Sequence, residues 1–398
     1  MRSSDELRQA SDVAVVGGGV AGLAVARAVA RRGLSVTLVE SRQLGAEAST
    51  AAAGMLAPQA EADERDEFFD LLCASRELYP TFAAALLEET GVDIELDQTG
   101  TLYLALNERD EEELERRYAW QSGAGLAVEL LTPEDARALE PAVSPRARLA
   151  LRFPRDWQVE SRQLVRALAA SALRAGVRVL AQTEARGVRV VAGRVAGVET
   201  SRGTLSAGAV VLAAGAWASH VPLLEAGRDG QDARTRGFEH PRVEPVRGQM
   251  LCFEHAPVEM PLLRHVVYSP RGYLVPRRDG RLIAGSTTEF AGFDCSLTAG
   301  GVHAVAAHAL EIAPAVANLR LTDAWAGLRP RTADDWPVLG ESAEVRSLFY
   351  AAGHYRNGIL LAPATGEVLA GLVTDGATDL LPRTLALFSP ARFRALIG

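Results

Sequence analysis

Three glycines, Gly17, Gly19 and Gly22, stand in a G-x-G-x-x-G spacing within "VAVVGGGVAGLAVARAVA", between a strand-like run and a helical one. Gly17 allows a tight turn, Gly19 lets backbone approach a pyrophosphate, and Gly22 lets helix and strand pack closely. A helix starting there aims free N–H groups and the positive end of its dipole, with Val20 and Ala21 in the first turn, at phosphates. Glu40 ends the next strand, eighteen residues after Gly22, where a carboxylate can accept hydrogen bonds from ribose hydroxyls. This constellation binds a dinucleotide, and the motif alone does not separate NAD from FAD. A second stretch, "AAGHYRNGILLAPATGE" (351–367), breaks an apolar run with His354, Tyr355, Arg356 and Asn357 before helical spacing resumes at Gly358. Pro363 falls near the first helical turn, where its missing N–H costs little. A third candidate, Arg329 in "WAGLRPRT", sits in an apolar context where an unpaired guanidinium is costly.

These residues need elements to hold them. Residues 12–40 read as strand, glycine turn, helix and strand. The run "STAAAGMLAP" (49–58) is small and uncharged, as suits backbone that approaches a ligand. Helical patterns follow at 63–90, at 159–180 leading into a strand, at 298–313 and after 358, and the acidic run 107–117 reads as a solvated helix face. Strands are expected at "GTLYLAL", around "GVRVVAGRVAGVETSRG", at "AGAVVLAAGAWAS", "RGQMLCFE", "GYLVPRRDGRLIAGS" and "SLFYAAG". The polar, Gly-rich stretch 225–242 reads as a mobile insertion. Alternating strands and helices at both ends predict a doubly wound parallel sheet. An antiparallel-looking middle predicts a second domain interleaved in sequence, so the nucleotide domain is discontinuous.

Composition narrows the chemistry. The chain has 398 residues, room for two domains, and no lysine: all 42 basic residues are arginine. Schiff-base chemistry, pyridoxal phosphate anchoring and a Walker-type lysine are thereby excluded. A net charge of -8 argues against nucleic acid or anionic membrane as a partner. Cys73, Cys252 and Cys295 are far apart and no histidine–carboxylate cluster has ligand spacing, which predicts a reduced cytoplasmic protein without a metal. The first eleven residues lack an apolar signal core, and no apolar run is long enough to span a bilayer.

The segments "TAAAGMLAPQAEADERDEFFDL", "GYLVPRRDGRL", "WAGLRPRTADDWPVLG" and "AAGHYRNGILLAPATGE" resemble the glycine oxidase branch of the D-amino-acid oxidase-like FAD flavoenzymes, over about residues 12 to 376. The resemblance implies an α/β fold: a Rossmann-like FAD-binding domain (a glutathione-reductase-type doubly wound sheet) with an interleaved α+β substrate domain containing a largely antiparallel sheet. The divisions expected are 1-85, 148-222 and 323-398 for FAD, and 86-147 and 223-322 for substrate. It also implies FAD along Gly17, Gly19, Val20, Ala21 and Gly22, with Glu40 and Ser41 at the ribose and Ala185 loosely at the adenine. Ala48, Ser49, Ala53, Gly54 and Met55 would line the path to the flavin. His354, Tyr355, Arg356, Asn357, Gly358, Ile359 and Leu360 would close over its ring.

Arg329 would grip a substrate carboxylate in two places, as a planar fork can. Tyr273 would donate its hydroxyl to the same carboxylate, and the Arg356 backbone carbonyl would hold the amine. His354 is expected to be a loop hydrogen-bonder and not a base, because hydride transfer from a neutral amine needs orientation and a dry cavity more than a base. Relatives that attach FAD covalently use a cysteine late in the chain. The last one here is Cys295, ahead of the flavin loop, so noncovalent FAD is expected. Thr288 and Arg271 are expected at the pocket and bear on substrate choice. The implied activity is oxidation of glycine or another small amino acid or amine by O2, giving imine, then 2-oxo acid, ammonia and hydrogen peroxide, in a homo-oligomer, with glycine imine feeding the thiazole ring of thiamine. Oxidation of D-amino acids or secondary amines, another electron acceptor, or a non-catalytic flavin-binding subunit remain the alternatives at this point.

Overall fold

A computed structural model describes residues 10–225, 234–235, 240–254, 261–378, 380 and 385–396. Most of the 225–242 stretch, read above as an insertion, lies outside the described residues.

Strand β1 (Ser11–Val16) is flanked by parallel neighbours, β2 (Val36–Val39) on one side and β3 (Gly203–Leu212) on the other. Arg178–Leu180 extends the parallel sheet beyond β2, and β4 (Leu348–Ala352) pairs parallel with β3. The near-continuous apolar character of these strands follows from burial on both faces. Helix α1 (Val20–Arg31) returns the chain between β1 and β2 and buries Leu23, Val25 and Val29. Helices α2 (Glu67–Thr90), Ser161–Arg174 and α3 (Ala362–Asp375) join it in one hydrophobic core. The N-terminus of α2 is capped by Asp66, whose carboxylate accepts from the Phe69 N–H at 2.7 Å, and Gly91 in the left-handed conformation ends it.

A second, eight-stranded sheet carries the other half of the molecule, and its pairings are antiparallel except Val266–Ser269 on Thr101–Ala105. Its longest pair runs Glu244–Glu254 against Arg320–Arg331, placing Val246 opposite Arg329 and Gly248 opposite Gly327. Two stretches cross the division expected from sequence. Leu149–Phe153 pairs with Thr101–Ala105, and Arg320–Arg331 pairs with Glu244–Glu254, so both belong to the second sheet. Local pattern shows that a strand exists there but not which edge it completes. Among the described residues no helix is long and apolar enough to cross a membrane.

Candidate active site

One cleft of about 450 Å³ runs from the glycine turn to the junction of the two sheets. At its first end Gly17 has φ +109°, and a Cβ there would overlap the Ala213 carbonyl oxygen. A Cβ on Gly22 would overlap the carbonyl oxygen of Gly17. Both glycines therefore serve packing of the turn, and Gly22, unlike Gly17, Gly19, Val20 and Ala21, does not line the cleft. The Val20 N–H donates to Ser49 Oγ at 2.9 Å, and α1 has no acidic residue in its first turn to compete with an anion. Glu40 accepts from the Gly18 N–H and the Arg42 N–H, each at 2.7 Å, which fixes the carboxylate beside the turn, and Ser41 lines the cleft next to it. Ala185 lines the same end beside Glu184. Ala48, Ser49, Ala53, Gly54 and Met55 line the middle, where Ala213 to Trp217 also contribute.

At the far end the loop after β4 supplies His354, Tyr355, Arg356, Asn357, Gly358 and Ile359. Leu360, expected there, is instead buried in the core of the first domain. A turn closes this loop, with the Leu361 N–H donating to the Asn357 carbonyl at 2.8 Å, so α3 begins at Ala362 and not directly after Gly358. Two side chains of α2 hold the turn from behind: Tyr79 donates to the Ile359 carbonyl, and Ser75 donates to the Leu360 carbonyl at 2.7 Å. The N–H groups of Gly358, Ile359 and Leu360 have no acceptor among the described residues. With the Ile359 and Leu360 carbonyls tied to α2, these donors are left for a bound group.

His354 is buried, and one ring nitrogen lies 2.9 Å from Thr365 Oγ1. Burial pushes its pKa down to about 4, so the imidazole is neutral near pH 7 and its hydrogen bond holds the loop to α3.

The substrate-side residues come from the second sheet. Arg329 donates to the Thr287 carbonyl at 3.1 Å and to Ser286 Oγ at 2.6 Å, and it has no carboxylate partner among the described residues. Burial lowers its pKa, the signature of a guanidinium that lacks its own counter-ion. Gly248, across the strand pair, leaves the room this guanidinium fills: a Cβ there would overlap it. Tyr273 is buried beside it, and its hydroxyl reaches only the weak acceptor Met250 Sδ, at 3.5 Å. Arg356 lines the cleft, with its side chain turned to Glu61 at 3.4 Å. Tyr268 donates to that same Glu61 oxygen at 3.0 Å.

Two expectations about the pocket change. Thr288 does not line this cleft but a neighbouring cavity, because Arg329 takes its contacts from the two residues before it. Arg271 also faces that cavity, tied to Asp110 at 2.9 Å and to Glu311 at 2.9 Å. Sequence reasoning missed Glu61, which stands among the acids of "AEADERDE" with nothing to single it out, and Met250, an ordinary strand residue.

The family described as "FAD dependent oxidoreductase" (DAO) matches residues 12–372. This chain belongs to that family. The flavoenzyme is 39% identical over 379 residues to a protein named glycine oxidase from Geobacillus kaustophilus (strain HTA426), covering 94% of this chain and 96% of the relative. A crystal structure of glycine oxidase from Geobacillus kaustophilus superposes with a TM-score of 0.86 at 37% identity, covering 96% of this chain and 98% of the other. The bifunctional protein ThiO/ThiG of Synechocystis sp. (strain ATCC 27184 / PCC 6803 / Kazusa) is 34% identical over 97% of this chain, which spans 55% of that longer protein.

The flavoenzyme's own atoms fit its family's cofactor. The glycine turn leaves backbone bare at the start of α1, as donors to a pyrophosphate would require, and Glu40 is fixed beside that turn, where a carboxylate would suit a ribose. The three loop N–H groups are unengaged among the described residues and would suit a ring whose reduced form carries negative charge. No cysteine lines the cleft: Cys73 is half-buried on α2, Cys252 is buried in the second sheet and Cys295 is exposed.

Proposed function

We propose that this flavoenzyme oxidises glycine, or another small amino acid or amine, at its Cα–N bond, with O2 as the final electron acceptor. The product imine hydrolyses to a 2-oxo acid and ammonia, and O2 leaves as hydrogen peroxide. Arg329 carries the reading: a guanidinium without a carboxylate partner, in the wall of the cleft that the loop N–H groups face. A substrate carboxylate supplies the missing counter-ion, accepting from the Arg329 fork and from the Tyr273 hydroxyl, whose present partner is a thioether. The Arg356 backbone carbonyl accepts from the amine and turns Cα toward the ring.

FAD, when bound, supplies the acceptor for the hydride that leaves Cα. Gly17, Gly19, Val20, Ala21, Ser49, Glu40 and Ser41 hold its dinucleotide part, and the segments 53–55 and 354–359 hold its ring. Its attachment is noncovalent, in keeping with a cleft that no cysteine lines. His354 stays neutral and acts by holding the loop. A cytoplasmic homo-oligomer that supplies glycine imine for the thiamine thiazole ring completes the reading.

The test is peroxide release from glycine, sarcosine, D-alanine, D-proline and L-proline by the FAD-loaded protein. Stoichiometric O2 consumption and peroxide with at least glycine supports the reading. Anaerobic bleaching of the flavin without O2 use assigns a dehydrogenase, and no bleaching with any of the five removes the amine-oxidising role.

A further inference from the structure

Beside the cleft lies a second cavity of about 620 Å³. Glu61, Tyr273, Tyr355, Arg356 and Asn357 line both spaces and so form the partition between them. The centre of that partition is an ion pair, Arg356 Nη2 to Glu61 Oε1 at 3.4 Å, and Glu61 raises the Arg356 pKa. Glu61 is held in place from behind. It ends the short helix Pro58–Glu61, whose Ala60 N–H donates to Asp156 at 2.7 Å and whose Gln59 N–H donates to Asp156 at 3.3 Å. Asp156 is itself buried and paired with Arg76 at 3.2 Å. The backbone is pinned, Tyr268 donates to the same Glu61 oxygen at 3.0 Å, and the side chains of Glu61 and Arg356 retain exposures of 20% and 31%.

The lining of the second cavity is lopsided in charge. Glu61, Asp63, Glu64, Asp66, Glu113 and Asp335 face three arginines. Each arginine is already committed: Arg117 to Asp63 and Glu113, Arg271 to Asp110 and Glu311, and Arg356 to Glu61. The side chain of a substrate held by its carboxylate at Arg329 would meet this partition, because Tyr273 and Arg356 line both spaces. A neutral or cationic one meets no penalty of charge there, whereas an anionic one meets Glu64 and Asp66, which have no ion-pair partner among the described residues, and no free guanidinium, Asp335 being held by Arg331.

We propose that the Glu61–Arg356 pair is the specificity-determining partition of the substrate pocket, which bars amino acids with an anionic side chain because Glu61 neutralises the guanidinium that would accept them. This inference rests on the amino-acid-oxidising reading above. It assigns Glu61 a specificity role and no part in the chemical step.

The experiment compares kcat/KM for racemic asparagine and racemic aspartate, two substrates of nearly equal shape, in the FAD-loaded enzyme and in Glu61→Gln. Wild type is expected to favour asparagine at least about tenfold, and Glu61→Gln, which leaves Arg356 without a carboxylate, to cut that preference at least about tenfold. Equal use of the two by wild type, an unchanged preference in flavin-loaded Glu61→Gln, or turnover of neither by a wild type that oxidises glycine would each overturn the proposal. If Glu61→Gln does not hold FAD, Arg356→Leu gives the complementary reading: loss of the guanidinium that Glu61 pairs with raises the asparagine preference at least about threefold, and no change refutes the partition. A wild type that oxidises no amine at all counts against the amino-acid-oxidising reading and not against this one.

Discussion

At the glycine-turn end of the cleft, the groups offered to a ligand are mostly backbone, from residues within about one β-α-β unit: the start of α1, the turn before it and Glu40 after it. At the arginine end they are side chains drawn from four distant segments: Glu61, Tyr273, Arg329 and Arg356. Backbone donors cannot be altered by substituting their own side chains, so the first end tolerates change wherever no Cβ intrudes. The second end depends on each side chain in turn. One end is therefore suited to a ligand that never changes, and the other to a ligand that can be exchanged through few substitutions.

Three substitutions or measurements separate the ends. Arg329→Ala should lower kcat/KM about 10³-fold, near 4 kcal/mol for stripping a charge partner from the substrate carboxylate, while the flavin-to-protein ratio stays at its wild-type value. Steady-state kinetics matching wild type would show that the two ends are not divided as described. Gly22→Ala should do the reverse. The added Cβ meets the Gly17 carbonyl, an overpacking cost of about 1–3 kcal/mol, read as a lower Tm and a flavin content below wild type. The remaining flavin-loaded fraction should keep its KM for substrate, and a raised KM would mean that the ends are coupled.

The smallest effect concerns His354. Its pKa is pushed down from 6.5 to about 4, so the unfolded chain binds this proton more readily than the folded one. Its contribution to stability is then complete above pH 6.5 and declines toward pH 4, by up to about 1.4 kcal/mol per pH unit. Between pH 7 and 9 neither stability nor kcat/KM should change through this group. A limb of the pH–rate profile near neutrality that vanishes in His354→Gln would instead make it an acid–base group.

Legibility in the sequence follows the same division. The glycine turn, Glu40 and the loop at 354–359 could be read because each places its chemistry within a few residues of the element that holds it. Arg329 could be singled out by its apolar neighbours, but the reason it has no carboxylate lies in strand register, which brings Gly248 beside its guanidinium. Glu61 gains its place only when Asp156, ninety-five residues later, accepts from the helix before it. Leu360 sends its side chain to the core while Ser75 holds its carbonyl toward α2, a split between side chain and backbone that local pattern does not show. Thr288 was misplaced because two preceding residues already meet Arg329.

The grip of Tyr79 and Ser75 on the carbonyls of Ile359 and Leu360 also bears on how the protein is made. The glycine turn emerges from the ribosome well before its partner loop. Helix α2 waits for nearly three hundred residues before the turn it supports exists. A nascent chain stopped before residue 354 would present half of the cleft, and flavin capture would wait until that loop is made. Yellow colour in a preparation is then a measure of synthesis past that loop, since the cleft is lined by two segments far apart in the chain.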